Sequence, residues 1–317
     1  MTSEQNTATS PSVTVRAAAK VNLHLGVGRP RPDGYHPLAT VYQSIALFDE
    51  VVLRPAEEDS LTVSSDGVDV AEVPTDSSNL VLRGVHALAE HAGRELPVSV
   101  HVRKHIPVAG GLAGGSSDAA AALVGADALF GLGTPRSELL QVAATLGSDV
   151  PFCILGGTAL GSGRGELVTP VMTRGEYWWV LCPDDEGLST PEVYRAFDDL
   201  HDGVPVPEPE VSDHLLAALT AGDPTALGPQ LTNDLQPASL TFRPDLGELL
   251  RAGLQGGAVG GIVSGSGPTT VFLCTDVERA RDLADHLQVE GVPTPLVVKG
   301  PVPGARVVSS RIAGGAP

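Results

Sequence analysis

The hydrophobic pattern of the chain switches between a two-residue period and a three-to-four-residue period, which predicts strands and helices in mixed order. Between residues 13 and 63, short apolar stretches alternate with polar positions and turn residues, so short strands are expected there. The segments with this pattern are VTVRAAA, VNLHLGVG, LATVYQSIAL and EVVLRP. Between the second and the third, the residues PDGY stand in turn order and predict a tight loop.

Helical spacing follows at residues 79–92, and an alternating segment at 98–106 predicts another strand. That strand leads into a glycine-rich loop. An alanine-rich helix is predicted after the loop, from about Ser117 to Phe130. A further helix is expected from Pro135, a favourable residue for a first helical turn, to Leu146.

The second half of the chain is predicted to begin near Glu166 and to mix strands with helices. Its expected elements are a strand at 178–182, helices near 191–200, 212–221 and 244–254, the strand–turn–strand unit GGIVSGSGPTTVFLC, a helix at 276–288 and a strand at 292–298. The Pro- and acid-rich stretch 203–211 is expected to be a surface loop. Because strands lead and the order is mixed, the sequence predicts an α+β fold rather than a doubly wound sheet.

Composition narrows the classes of function. The chain has 317 residues, with 38 acidic and 20 basic side chains and a formal net charge of −18. This charge argues against binding to nucleic acid or to an anionic membrane surface. The three cysteines lie far apart in apolar surroundings, which indicates reduced, buried thiols and a cytoplasmic protein. No apolar run reaches the roughly 20 residues of a membrane span, and residues 1–12 are expected to form a disordered tail.

The strongest local signal is the glycine-rich segment PVAGGLAGGSSDAAAAL, which joins a strand to a helix. Glycines let backbone N–H groups turn inward, and a helix N-terminus adds partial positive charge, so the segment can hold phosphate without a basic side chain. It is not a Walker A loop, because Ser116 stands where that motif requires lysine, and it contains no dinucleotide-binding GxGxxG in register. The alternative is a glycine-rich turn with helix capping.

This loop resembles the signature of the GHMP kinases, the family of galactokinase, homoserine kinase, mevalonate kinase and phosphomevalonate kinase. The segments AAAKVNLHL and SGSGPTT resemble the other two motifs of that family and occur in its order. The resemblance implies an N-terminal ATP-binding domain at residues 13–165 and a C-terminal, ferredoxin-like substrate domain at 166–317. The site lies between the two domains, and ATP and Mg²⁺ are the implied cofactors.

Further segments resemble one branch of the family more closely. They are PDGYHPLATVYQSI, SSNLVLRG, LGSDVPFCILGGTALGSGRGE, LSTPEVY and LTNDL, and the resemblance covers roughly residues 13 to 300. That branch phosphorylates the 2-hydroxyl of a polyol linked to cytidine diphosphate, in a non-mevalonate route to isoprenoid precursors. The implied partners are therefore ATP and this small molecule, with no nucleic acid and no membrane.

Phosphoryl transfer to an alcohol requires positioned phosphates, neutralised charge and a group that accepts the hydroxyl proton. The resemblance makes Asp149 the catalytic aspartate and places Lys20 beside it. Asn22 lies two residues further along the same strand face and fits a hydrogen bond to the substrate. The structural alternatives are a turn aspartate before proline, a lysine that protects an edge strand, and a satisfied polar residue at a strand end.

The resemblance also assigns the binding residues. Tyr35, His36, Thr190 and Tyr194 are expected around the cytosine, since a flat base favours aromatic stacking. Without the family, Tyr194 would be taken for a helix core residue and His36 for a surface turn residue. The turn of Ser264, Gly265, Ser266 and Gly267 is expected to close over the substrate, although a plain β-turn is the alternative.

On the ATP side, the resemblance implies contacts from the glycine loop and from two residues near the adenine. Asn79 is otherwise a helix cap, and Lys104 is otherwise an exposed strand residue. The expected ATP-binding residues of the loop are Pro107, Val108, Ala109, Gly110, Gly111, Leu112, Ala113, Gly114, Gly115, Ser116 and Ser117.

Two other functions stay open at this point. One is a GHMP kinase of the homoserine or mevalonate type, against which the DGYH and STPEVY segments argue. The other is a catalytically silent nucleotide-binding protein of the same fold. The presence of both Lys20 and Asp149 argues against it, because a protein that only binds needs neither.

Overall fold

The structure is a computed structural model that describes residues 11–108, 110–184 and 186–311. Its first half contains β1 Ser12–Val27, β2 Leu38–Pro55, β3 Ser60–Ser65, α1 Leu80–Ala92, β4 Val98–Lys104, α2 Gly114–Phe130, α3 Arg136–Leu146, α4 Val150–Leu155, β5 Thr158–Ser162 and β6 Leu167–Pro170. Its second half contains β7 Tyr177–Cys182, α5 Thr190–Leu200, α6 Asp213–Ala221, α7 Pro224–Leu227, β8 Thr232–Asn233, α8 Gln236–Phe242, α9 Asp245–Gln255, β9 Gly260–Val263, β10 Thr270–Cys274, α10 Val277–Val289, β11 Leu296–Gly300 and β12 Arg306–Arg311.

The larger sheet has the strand order β12-β1-β2-β4-β3 within the described residues, with β5 and β8 attached to β2 and β1. Its long central strand β1 carries an irregularity between Ala18 and Ala19, where the pairing with β2 shifts. Before it, Val13 and Val15 belong to the core beneath the helices; after it, Val21 belongs to the core shared with the smaller sheet. The opposite face of β1 carries Lys20 and Asn22, and the Lys20 ammonium contacts the glycine-rich loop at the Gly111 carbonyl oxygen.

The smaller sheet has the order β11-β7-β10-β9, and each neighbouring pair is antiparallel. Numbered along the chain, these strands stand in the order 4-1-3-2, which is the ferredoxin-like arrangement. Helices α9 and α10 pack on one face of this sheet through Leu246, Leu250, Leu283 and Leu287. The predicted α+β fold with a ferredoxin-like second domain is confirmed.

The two sheets share a core, so the halves of the chain are held together by apolar packing. Ile45 of the large sheet and Trp179 of the small sheet both lie in it, completely buried. The Trp179 indole N–H donates to Gln43 Oε1 at 3.0 Å, which satisfies the buried ring nitrogen across the seam. Strands β8 and β12, from the second half, also pair within the large sheet. The predicted boundary at 165–166 stays a prediction.

Several local predictions were wrong in instructive ways. The strands expected at 13–19 and 21–28 form one strand, because β1 is covered on both faces and needs no break at Lys20. Pro151 lies in the first turn of α4, where a missing N–H costs nothing, so the predicted turn at Asp149 leads into a helix. The C-terminal strand β12 was not predicted, and Ser12, placed in the expected tail, begins β1. Residues 1–10 lie outside the described residues.

In the described part of the chain, no helix is both long enough and apolar enough to pass through a membrane.

Candidate active site

A cavity of about 800 Å³ lies between the two halves of the chain, a size typical of sites for small ligands. The first half contributes polar and glycine residues, and the second half contributes α5 and the turn between β9 and β10. The lining residues with candidate chemistry are Lys20, Asn22, Tyr35, His36, Gly110, Gly111, Ala113, Gly114, Gly115, Ser116, Asp149, Arg164, Thr190, Tyr194, Asp198, Gly265, Ser266 and Gly267.

The glycine-rich loop forms one wall of this cavity. Gly111 has φ +76°, and a Cβ there would lie 2.3 Å from the Ser264 carbonyl oxygen, so only glycine fits. Ala113 has φ +59°, which is unusual for a residue with a side chain, and helix α2 begins at the next residue. The loop therefore delivers a helix N-terminus, with its free N–H groups, to the cavity wall. This arrangement suits an anion such as phosphate.

Lys20 reaches this wall from strand β1. Its side chain is 5% exposed, and Nζ donates to Asn22 Oδ1 at 2.8 Å and to the Gly111 carbonyl oxygen at 3.2 Å. Asn22 in turn donates to Thr40 Oγ1 at 2.9 Å. Lys20 and Asn22 share one strand face, as predicted, and the network fixes the direction of the ammonium group.

Asp149 faces Lys20 from the start of α4. Its Oδ2 is 3.4 Å from Lys20 Nζ, and its side chain is 29% exposed, so the carboxylate is paired and still open to the cavity. Burial, with the Asp149 charge as the next cause, raises the pKa of Tyr42 well above its usual value and also raises the pKa of Tyr194. Both phenols therefore stay neutral near neutral pH.

A second wall carries aromatic side chains. The His36 and Tyr194 rings lie 4.9 Å apart between centroids, and His36 Nε2 is 2.9 Å from Asp198 Oδ1. Tyr35 is half exposed, and the Arg164 guanidinium carbon lies 4.7 Å from its ring centroid. This wall offers ring faces, an imidazole edge and a cation to a ligand.

The turn between β9 and β10 closes the cavity on the side of the second half. Ser266 Oγ is 2.8 Å from Thr190 Oγ1, and Asn233 Nδ2 donates to the Gly265 carbonyl oxygen at 2.7 Å. Ser264 Oγ donates to the Gly111 carbonyl oxygen at 3.2 Å. The two glycine turns, which are more than 150 residues apart in sequence, thus touch each other.

The structure brings most predicted site residues to one cavity but leaves several out of its lining. Pro107, Val108, Leu112 and Ser264 do not line it, although Leu112 and Ser264 are adjacent to residues that do. Asn79 caps α1 by accepting from the Val81 N–H at 2.8 Å, the alternative role given to it above. Ala109 lies outside the described residues.

Two predicted ATP contacts point into the protein interior instead. Ser117 is completely buried, and its hydroxyl donates to the Ala18 carbonyl oxygen at 2.8 Å. Lys104 is 2% exposed and forms ion pairs with Asp49 and with Asp118, the latter at 2.7 Å. The expected roles of both side chains at ATP are therefore corrected to roles beneath the loop.

Sequence reasoning missed other residues of the cavity. Asp198 follows Tyr194 by four positions on α5, so the helical spacing could have placed both on one face. Tyr42 pairs with Asn22 across the sheet, a contact that depends on a register the sequence does not specify. Arg164 gave no signal of its own beyond its place between two glycines.

Magnesium fits the donor set only in combination with a ligand. Within residues 11–108, 110–184 and 186–311, no cluster of three or more His, Cys, Asp or Glu side chains has the geometry to hold a metal. Mg²⁺ in kinases is held largely by substrate phosphates and water, with one or two protein oxygens. Ser116 and Asp149 supply such oxygens at the cavity wall.

Comparisons with known proteins agree with this arrangement. The family model for the GHMP kinases N terminal domain matches residues 79–157, and the model for GHMP kinases C terminal matches residues 215–291. A crystal structure of homoserine kinase from Cytophaga hutchinsonii has a TM-score of 0.72 at 20% identity, over 97% of this chain and 99% of the other. At that identity it shows the shared fold alone.

Closer relatives narrow the family. The 4-diphosphocytidyl-2-C-methyl-D-erythritol kinase of a Nocardioides species is 54% identical over 296 residues, which is 93% of this chain and 99% of that protein. The protein of the same name from Streptomyces coelicolor is 50% identical over 88% of this chain and 93% of its own length. A crystal structure of 4-(cytidine 5'-diphospho)-2C-methyl-D-erythritol kinase has a TM-score of 0.71 at 31% identity, over 90% of this chain and 98% of the other. The chain belongs to the 4-diphosphocytidyl-2-C-methyl-D-erythritol kinase family of the GHMP kinases.

Proposed function

We propose that the chain is an ATP-dependent kinase that phosphorylates the 2-hydroxyl of 4-diphosphocytidyl-2-C-methyl-D-erythritol, a step toward isoprenoid precursors. The observation that carries the proposal is the meeting of three groups in one cavity. They are the helix N-terminus at Gly114, the 3.4 Å pair of Lys20 and Asp149, and the aromatic wall of His36 and Tyr194. A protein that only binds a nucleotide has no use for the second group.

The chemistry is a direct in-line transfer. ATP lies with its phosphates on the N–H groups of the glycine loop, and the terminal phosphoryl group faces the acceptor hydroxyl. Asp149 accepts the hydroxyl proton, and Lys20, held by Asn22 and the Gly111 carbonyl oxygen, stabilises the charge that develops on the transferred group. Mg²⁺ would supply further charge neutralisation at the phosphates, and the Ser116 hydroxyl would help to hold it.

The acceptor is recognised through its cytosine. Tyr194 and Tyr35 supply ring faces, and Thr190 stands beside Tyr194 on α5 as a polar partner. When Nε2 of a neutral His36 donates to Asp198, Nδ1 is an acceptor and suits the amino group of cytosine. A homoserine or mevalonate acceptor has no base to occupy this wall, so the aromatic residues favour the cytidyl acceptor.

The proposed setting is the cytoplasm. Cys153, Cys182 and Cys274 are unpaired and buried, and burial raises the pKa of each thiol to about 12. Such thiols are unreactive, and their unpaired state suits a reducing compartment.

A coupled assay of ADP release tests the function. The purified protein is given ATP, Mg²⁺ and 4-diphosphocytidyl-2-C-methyl-D-erythritol, with homoserine and mevalonate as matched acceptors. We expect turnover with the cytidyl acceptor and a product phosphorylated at the 2-position, identified by phosphorus NMR. Binding of ATP without turnover of this acceptor would reject the proposal, as would faster turnover of homoserine or mevalonate.

A further inference from the structure

The proposed acceptor carries two phosphates of its own, and they need a partner distinct from the glycine loop. That loop is assigned to ATP, and the protein as a whole is strongly acidic, with a formal net charge of −18. A diphosphate held near carboxylates such as Asp149 and Asp198 requires a nearby cation. The cationic side chains that line the cavity in the described residues are Lys20, Arg164 and Arg195, apart from the ring of His36.

Two of these three cations have another assignment or are screened by water. The Lys20 ammonium donates to Asn22 and Gly111 and lies beside Asp149. The Arg195 side chain is 72% exposed and lies 3.6 Å from Glu192 on the same helix, so water screens its charge. Lys20 is thus assigned to the transferred phosphoryl group beside Asp149, and Arg195 offers the acceptor diphosphate only a water-screened charge.

Arg164 differs from both, because its guanidinium group is partly buried and has no hydrogen-bonded partner among the described residues. Its side chain is 33% exposed, and its Nε is 3.9 Å from Glu166 Oε1, beyond hydrogen-bond distance. Glu166 instead accepts the backbone N–H of Arg164 at 2.6 Å, which fixes the loop but leaves the guanidinium group without a hydrogen bond to any described residue. The guanidinium lies over the Tyr35 ring, which holds it at the aromatic wall.

We infer that Arg164 is a specificity-determining residue that binds the diphosphate of the cytidyl acceptor, an inference that rests on the function proposed above. A guanidinium fork matches phosphate oxygens in a bidentate manner, and stacking on Tyr35 orients the fork without using its donors. Tyr35 would then contact the base of the acceptor, and Arg164 would contact the diphosphate next to it. The segment GSGRGE, which carries Arg164 between two glycines, gains a role that the sequence did not suggest.

The test compares cytidine with cytidine diphosphate as ligands of the unmodified protein and of Arg164→Gln, by isothermal titration calorimetry. Arg164→Gln keeps a polar side chain but removes the charge. We expect its affinity for cytidine diphosphate to fall about tenfold to a hundredfold while its affinity for cytidine changes by less than about threefold. The KM for the full acceptor should rise by a factor similar to that for cytidine diphosphate, with kcat and the KM for ATP nearly unchanged.

Two further variants sharpen the result. Arg164→Lys keeps the charge without the fork and should recover part of the lost affinity. Arg251→Gln removes an exposed arginine on α9, outside the cavity lining, and should leave both affinities unchanged.

Three results would overturn the inference. Equal losses for cytidine and cytidine diphosphate in Arg164→Gln would mean that Arg164 acts through Tyr35 and the base. Unchanged affinities in that variant would mean that Arg164 does not contact the ligand. If the unmodified protein bound neither ligand, the proposed function would fail together with the inference.

Discussion

Two lysines lie on opposite sides of the same glycine loop, and they show how burial alone fails to identify a functional cation. Lys20 and Lys104 are 4% and 2% exposed. The Lys20 ammonium contacts the loop at the Gly111 carbonyl oxygen, and the Lys104 ammonium lies 3.1 Å from the position of a Cβ on Gly114. The family resemblance places Lys20 beside the catalytic aspartate and Lys104 near the adenine of ATP.

The partners of the two lysines separate them. Lys104 is paired with the carboxylates of Asp49 and Asp118, and Asp49 also accepts the backbone N–H groups of His105 and Ile106. Lys20 has one carboxylate, Asp149, at 3.4 Å, and its closer partners are neutral. The charge of Lys104 is neutralised by two carboxylates inside the protein, whereas the charge of Lys20 remains available at the cavity.

Lys104 keeps its charge in spite of its burial. Burial by itself lowers the pKa of Lys104, but the charges of Asp118 and Asp49 outweigh it and raise the pKa above 10.5. Lys104 therefore stays charged and holds the strand-to-loop connection in place. The comparison teaches that the set of partners, rather than exposure, distinguishes a structural ammonium group from a chemical one.

Replacing each lysine by methionine should separate the two roles and has the largest expected effects. Lys104→Met leaves two buried carboxylates unpaired and should lower the free energy of unfolding by about 3–5 kcal/mol. Lys20→Met should lower kcat about 10²- to 10³-fold, because a cation at the transferred phosphoryl group is lost. Urea unfolding and steady-state kinetics measure both quantities. If Lys20→Met lost mainly stability and Lys104→Met mainly turnover, the assignment of the two sides would be reversed.

The loop between the lysines gives the next test. Gly111→Ala places a Cβ 2.3 Å from the Ser264 carbonyl oxygen, so the contact between the two glycine turns must open. We expect turnover to fall at least about tenfold, since a small displacement of catalytic groups has large kinetic effects. Gly131→Ala is the matched control.

Gly131 also has positive φ but has no atom within 4 Å of an added Cβ. Replacing it by alanine should cost about 1–2 kcal/mol of stability, because a residue with a Cβ is strained in the left-handed conformation. Turnover should be unchanged. Equal losses of turnover in the two alanine variants would show that the contact with Ser264 is unimportant.

How much of this site the sequence predicts depends on whether a feature is local. The glycine loop, helix α2 and the turn before His36 are continuous segments, and each was predicted because turn and helix signals lie within a few residues. The shared face of Lys20 and Asn22 also followed, since a strand alternates with a period of two.

Features that depend on distant contacts were not accessible in the same way. The partners of Lys104 come from β2 and α2, 55 and 14 residues away in sequence, so its withdrawal from the cavity depends on the tertiary fold. Arg164 meets Tyr35 across more than a hundred residues. The strand β12 joins the large sheet at its edge through Ser12–Arg16 of β1, a long-range pairing that leaves no local pattern.

A smaller expected effect is the pH dependence of stability that arises from Asp118, the buried partner of Lys104. Burial raises the pKa of Asp118 well above 3.8; the Lys104 charge opposes this, and the Asp49 charge adds to it. The folded protein therefore binds this proton more tightly than the unfolded chain, and the contribution of Asp118 to stability falls as pH rises above about 4. Asp118→Asn lacks that contribution. The unfolding free energy of the variant minus that of the unmodified protein should rise between about pH 4 and pH 7.5.

Asp276→Asn is the control with the opposite sign. The exposed Asp276 caps α10, and its hydrogen bond from the Arg279 N–H is the main cause of its lowered pKa. Its contribution is present above about pH 4 and is lost as pH falls. The corresponding difference for this variant should therefore decrease as pH rises. A flat profile for Asp118→Asn would indicate that Asp118 is ionised throughout, fully matched by Lys104.

The most direct test of the account is the turnover of Asp149→Asn with ATP and 4-diphosphocytidyl-2-C-methyl-D-erythritol, measured together with its affinity for ATP. The amide keeps the size of the side chain but cannot accept the acceptor proton, so kcat should fall about 10²- to 10⁴-fold. The ATP dissociation constant should stay within about threefold, because the glycine loop holds the phosphates through backbone N–H groups. A variant that keeps the unmodified rate would contradict the assignment of Asp149 as the base. It would also contradict the assignment of the Lys20 side of the loop to catalysis and of the Lys104 side to structure.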